Sequence, residues 1–203
     1  MKLYDLPASP NARRVRIFIA EKGLEIPTEV VDMVKYENHT PEYLAKNPLG
    51  KMPLLELDDG TCIAESAAIC RYLEEIYPEP PLFGITPEER AIVEMWHRRV
   101  ELNLQIPLIA VFVNTHELWA DRRTQVPDWA EVCRADALKL LELLETELAD
   151  HDFIAGDSYT IADITAQSAL VLGKAVAGVR IAEDQPNLSA WWQRVTSRPT
   201  ARA

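Results

Sequence analysis

At 203 residues the chain is long enough for one or two domains with real cores, and two are expected. With 48% apolar and 26% charged residues it has the composition of a folded globular protein, which excludes extended disorder. Only 21 Lys and Arg face 32 Asp and Glu, a net charge of −11, which argues against a nucleic-acid partner, since phosphate binding needs a clustered basic surface.

The chain begins with "KLYDL" at 2–6, which alternates as a short strand does, and then "SPNARRVRIFIAEKG" switches to helical spacing through Ala12, Val15, Phe18 and Ile19 until Gly23 stops it. Arg13 and Arg14 read either as basic residues following the helix mouth or as the coat of a solvated face. "TEVVDMV" at 28–34 is β-branched and predicts a second strand, and "PEYLAKN" adds one helical turn or two. "MPLLELDDGTCIAE" predicts an antiparallel hairpin around an Asp-Gly turn. "ESAAICRYLEEIY" predicts a helix with Ile69, Tyr72, Leu73 and Ile76 on one side. The order is β-α-β-α-β-β-α.

The next segment, "PEPPLFGITPEER", carries four prolines in thirteen residues and cannot continue a helix or a central strand. It divides the chain into a domain over 1–78, a linker over 79–87 and an all-helical domain over 88–203. Helices are predicted from Glu88 to about Asn114 with a kink at Pro107, from about Asp128 to Asp150, from Thr160 to about Val176, and from Asn187 to Arg198. Leu138, Leu141, Leu144 and Leu148 form a core-facing stripe on the second of these. Thr160 and Asp163 form a capping box, with Tyr159 and Ile164 as its staple; loss of such a cap costs about 1 kcal/mol. Cys62, Cys70 and Cys133 form neither a CxxC pair nor a zinc-ligand cluster, so buried thiols and no metal are expected. No apolar run approaches the roughly 20 residues of a membrane span, and "MKLYDLPASPNARR" holds no signal-peptide core; a cytoplasmic protein without membrane contact is expected.

Ser9-Pro10 is what a helix start favours: a hydroxyl at the N-cap, then a proline where no amide is needed. The same helix mouth, beside the end of a strand, is also an anion site, so Ser9 reads either as a plain cap or as part of a binding crevice. The element order, with "MP" before the third strand, is thioredoxin-like. The four residues where that fold usually carries a redox CxxC are Ser9, Pro10, Asn11 and Ala12, so a reacting thiol has to arrive with a ligand.

Through "SPNARRVRIFIAEKG", "NPLGKMPLLE", "ESAAICRYL", the proline-rich linker and "SYTIADITAQSAL", in that order, nearly the whole chain resembles the soluble glutathione transferase family. The resemblance implies a thioredoxin-like domain followed by an all-α domain, glutathione as co-substrate, and a homodimer. It makes Pro53 a cis-proline and gives the backbone of Met52 to the cysteinyl part of glutathione. It assigns Glu65 and Ser66 to the γ-glutamyl end, and Lys51 and His39 to the glycine carboxylate. Ser9 falls at the serine-type motif position with Asn11 as its rival for the thiolate; Tyr4, inside the strand, reads as a packing residue. A run like "SSCSWRVR", which would suggest a maleylacetoacetate isomerase, is not found. Trp96, Asn103, Ile106, Phe112 and His116 are the candidates to line a pocket for a hydrophobic electrophile. Three activities fit: transfer of an electrophile to glutathione, glutathione-dependent disulfide or peroxide reduction, and a non-catalytic binding or assembly module that keeps the fold.

Overall fold

The computed structural model describes residues 1–203, which divide into two units: Met1–Leu82 with Arg202–Ala203, and Phe83–Ala201. The division falls inside the proline-rich stretch, and the last two residues belong to the first unit.

The first unit is a four-stranded sheet with helices. β1 (Lys2–Asp5) pairs in parallel with β2 (Thr28–Val30) and antiparallel with β3 (Leu54–Glu56); β3 pairs antiparallel with β4 (Cys62–Ala64), giving the order β2-β1-β3-β4. The registers Leu3 to Leu55 and Leu55 to Ile63 place Leu3, Leu54 and Leu55 in the core. β2 stops short of the predicted Val34. The Asp32 carboxylate accepts from the amides of Val34 and Lys35, while the Asp32 amide is taken by Glu37, so the chain turns there and does not extend.

α1 (Pro10–Glu21), α2 (Pro41–Lys46) and α3 (Ser66–Ile76) complete the unit. On α3 the buried face is Ile69, Cys70 and Leu73; Ile76, predicted on that side, is exposed. Burial pushes the Cys70 thiol up to about 12. α1 and α3 meet through polar pairs as well as apolar ones. Buried Lys22 donates to the Pro80 carbonyl and pairs with Glu74 at 2.6 Å, and Glu74 in turn accepts from the Leu82 amide. At the other end Arg14 is wholly buried, which rules out the solvated face, and donates to Ser66 Oγ at 2.8 Å. Arg13 is half-buried, and burial holds its pKa below the usual value.

The second unit is all helix: α4 (Pro87–Val100), α5 (Ile106–Thr115), α6 (Pro127–Glu147), α7 (Ile161–Leu172) and α8 (Pro186–Thr196). Where a kink is predicted, the chain takes a π-helical turn at Glu101–Gln105, two residues ahead of Pro107, whose missing amide cannot close the regular ladder. The stripe on α6 runs through Ala137, Leu141, Leu144 and Leu148, whereas Leu138 is exposed. α7 is buried on every side, and its start is a closed polar knot. The Asp163 carboxylate accepts from the Thr160 amide (2.9 Å), the Ile154 amide (3.0 Å) and the Trp191 indole (2.8 Å), while Thr160 Oγ1 accepts from the Ala162 amide. Burial raises the Asp163 pKa against the pull of these donors.

Candidate active site

Two helix starts and one loop meet in the first unit around a small crevice. Its wall is made of Asn11, Asn47, Lys51, Met52, Pro53, Glu65 and Ser66. Asn11 comes from the first turn of α1, Glu65 and Ser66 from the start of α3, and the rest from the loop that leads into β3.

The loop is held by side chains that bond its backbone. The Asn47 amide and the Tyr43 hydroxyl both donate to the Lys51 carbonyl at 2.8 Å, Asn47 Oδ1 accepts from the Leu49 amide, and buried Asn38 donates to the Gly50 carbonyl. Burial pushes the Tyr43 hydroxyl up to about 12, so it stays a donor. Gly50 sits at φ +58°, and a Cβ there would meet the Asn38 carbonyl oxygen at 2.9 Å. Only glycine fits that turn. The Met52–Pro53 bond that follows is cis.

At the mouth of α1, Ser9 is an extended N-cap and Pro10 stands at the first helical position. Ser9 Oγ accepts from the Ala12 amide at 3.4 Å, a long bond that leaves its proton to donate. Ser9 is half-buried and lies outside the crevice wall, which Asn11 enters in its place.

At the mouth of α3 the backbone is under strain. Glu65 has φ +67° and ψ 116°, a region that L residues avoid at a cost of about 1–3 kcal/mol. As N-cap it makes no side-chain bond to the first turn, so the amides of Ser66, Ala67 and Ala68 keep their capacity to donate. These amides and the positive end of the helix dipole form an anion site next to an exposed carboxylate, an arrangement suited to a ligand that carries an ammonium and a carboxylate on one carbon.

The other predicted residues are less gathered. His39 is exposed in a short turn beside Tyr36, outside the wall. Tyr4 is tied up as a packing residue: its hydroxyl donates to Glu56 at 2.7 Å, its ring meets Tyr43 edge-on, and Lys2 and Lys46 lie over it. In the second unit Trp96 is buried under the Arg99 guanidinium, Asn103 donates to the Arg99 carbonyl, and Ile106 is half-exposed. Phe112 and His116 do come together, with ring centres 4.9 Å apart, and Trp119 joins them against Phe112. His116 Nδ1 accepts from the Leu118 amide, which places the proton of the neutral ring on Nε2.

Sequence reasoning missed Asn47 and Arg14. For Asn47 the signal was present, since an Asn-Pro ahead of a Gly-containing loop marks a side chain that bonds its own backbone.

The family model for the N-terminal domain of glutathione S-transferases matches residues 3–81, and that for the C-terminal domain matches residues 108–199. A curated relative, glutathione S-transferase 2 of Saccharomyces cerevisiae, is 36% identical over 100% of this chain and 88% of its own length. The chain belongs to the glutathione S-transferase family. The crystal structure of a glutathione S-transferase domain-containing protein from Marinobacter aquaeolei superposes with a TM-score of 0.95 at 40% identity, covering 99% of this chain and 100% of that one. A maleylacetoacetate isomerase of Pseudomonas aeruginosa is 33% identical over 81% of this chain and 77% of its own length. As in other glutathione S-transferases, the thioredoxin-like unit precedes the helical one.

Proposed function

We propose that this glutathione transferase binds glutathione in the crevice of the first unit and holds its sulfur as a thiolate at the start of α1, ready to attack an electrophilic small molecule. The observation that carries this reading is that one wall joins Asn11 at the start of one helix, the cis Met52–Pro53 segment, and Glu65 with Ser66 at the start of another. Glu65 pairs with the γ-glutamyl ammonium, Ser66 and the open amides of α3 take its carboxylate, the backbone of Met52 meets the cysteinyl part, and Lys51 takes the glycine carboxylate. His39, exposed and outside the wall, is the weaker partner for that end. The electrophile is assigned to the Phe112 and His116 group, and the protein to a cytoplasmic homodimer with no metal; light scattering at twice 22.9 kDa checks the dimer.

The chemistry at sulfur is arithmetic. An unperturbed thiol titrates near 8.5, so lowering it by about two units needs roughly 2.7 kcal/mol of preference for the thiolate. A helix start contributes about 0.3–1 kcal/mol and a hydrogen bond to the charged sulfur about 1.5–3. Ser9 and Asn11 are the two side chains we assign to that bond.

Thiolate absorbance of the glutathione complex against pH tests the assignment. Removing a donor raises the bound thiol pKa, so the thiolate is lost first at neutral pH and returns as pH rises past the unaided value. Ser9→Ala is expected to lower turnover at pH 7 by about ten-fold or more, with recovery at higher pH. A Ser9→Ala protein that loses only melting temperature, beside an Asn11→Ala protein whose titration shifts, makes Ser9 a cap and Asn11 the donor. Turnover of a chloronitroaromatic against that of hydroxyethyl disulfide separates transferase from reductase chemistry. Glutathione binding with neither turnover leaves the non-catalytic module.

A further inference from the structure

Arg14 is the one guanidinium of α1 with no surface exposed at all, and it lies where α1 meets the start of α3. A buried cation is expensive to keep. Its Nη1 donates to Ser66 Oγ at 2.8 Å, and Ser66, itself buried, lines the crevice. A hydroxyl owns one proton and two acceptor positions, whereas a guanidinium only donates and does not give up its charge. Arg14 therefore fills an acceptor position of Ser66 and fixes the polarity of the hydroxyl. The Ser66 proton is spent on no group of the protein, and its neighbours are the open amides of α3.

We infer that Arg14 is a positioning residue for the anionic end of the ligand: from the interface between α1 and α3 it holds the Ser66 hydroxyl as a donor toward a carboxylate. The inference rests on Ser66 binding the γ-glutamyl carboxylate of glutathione. It extends that site by a residue that never touches the ligand, and it makes discrimination between carboxylate and no carboxylate a property of the pair.

The test is a double-mutant cycle on the full chain. Calorimetry measures the affinity for glutathione, and for the analogue in which γ-aminobutyrate replaces the γ-glutamyl group, in the parent, Arg14→Met, Ser66→Ala and the double variant. Each single substitution is expected to weaken glutathione binding about ten-fold, raising KM and leaving kcat. The double variant is expected within about two-fold of Ser66→Ala alone, and the analogue is expected to lose less than about two-fold throughout. Unchanged glutathione affinity in Ser66→Ala removes the site, and this inference with it. A loss in Ser66→Ala with none in Arg14→Met, or with independent losses that multiply in the double variant, overturns the inference and leaves the site standing. Where Arg14→Met does not fold, Arg14→Lys enters the same cycle. It keeps the charge but not the planar fork, and is expected to weaken glutathione about two- to five-fold, with no further loss once Ser66 is absent.

Discussion

The starts of α3 and α7 are built in opposite ways from similar parts. Each has a carboxylate and a hydroxyl close to its first turn. At α7 the carboxylate of Asp163 turns inward, closes the capping box and also collects the Ile154 amide and the Trp191 indole, all out of contact with water. At α3 the carboxylate of Glu65 is exposed, bonds nothing in the first turn, and sits on strained backbone, while the hydroxyl is turned by an arginine. A helix start that satisfies itself is scaffold. One that leaves its donors open, and stores strain in doing so, is built to be completed by something else.

Removing the closed knot gives the largest effect. Asp163→Ala strands three buried donors, so the cost is expected at about 3–5 kcal/mol rather than the 1 kcal/mol of a simple cap. Chemical denaturation measures it, and a loss below about 1.5 kcal/mol reduces Asp163 to an ordinary cap. The open start responds in binding instead. Glu65→Ala removes a charge-assisted contact worth about 1.5–3 kcal/mol, a ten- to hundred-fold loss of glutathione affinity. Calorimetry reads the loss, and unchanged affinity takes Glu65 out of the site. The smallest effect isolates the strain: Glu65→Gly is expected to be about 1 kcal/mol more stable than Glu65→Ala, because only glycine adopts φ +67° without penalty. Equal melting temperatures for the two remove strain from the comparison.

The elements of the first unit could be read from alternation, the Asp-Gly turn and Ser9-Pro10, because each of these acts over a few residues. The end of β2 could not, since it depends on Asp32 and Glu37 drawing the backbone into a turn against the β-branched preference of "EVVDMV". Arg14 was misread for a similar reason: two adjacent arginines on an amphipathic helix read as solvent-facing, and its partner stands 52 residues further on. The sequence did hold a hint, as Arg14, Phe18 and Lys22 are spaced by four and so share a face, and Phe18 is fully buried. In the second unit, type and spacing singled out Phe112 and His116. Trp119 was passed over, and Trp96 lies in the core because the face of α4 it occupies also carries Val93 and Val100.

Two buried pairs between α1 and α3 share one offset: Arg14 with Ser66 and Lys22 with Glu74 are each separated by 52 positions. The two helices thus act as a key and its lock, cut at two places eight residues apart. Sliding one helix by a turn takes Arg14 off Ser66 and leaves Glu74 without Lys22. A chimaera that takes α1 from a relative lacking these partners inherits a buried charge with no match, whatever the quality of its apolar packing. The two helices are therefore a single heritable cassette, to be exchanged together or left alone.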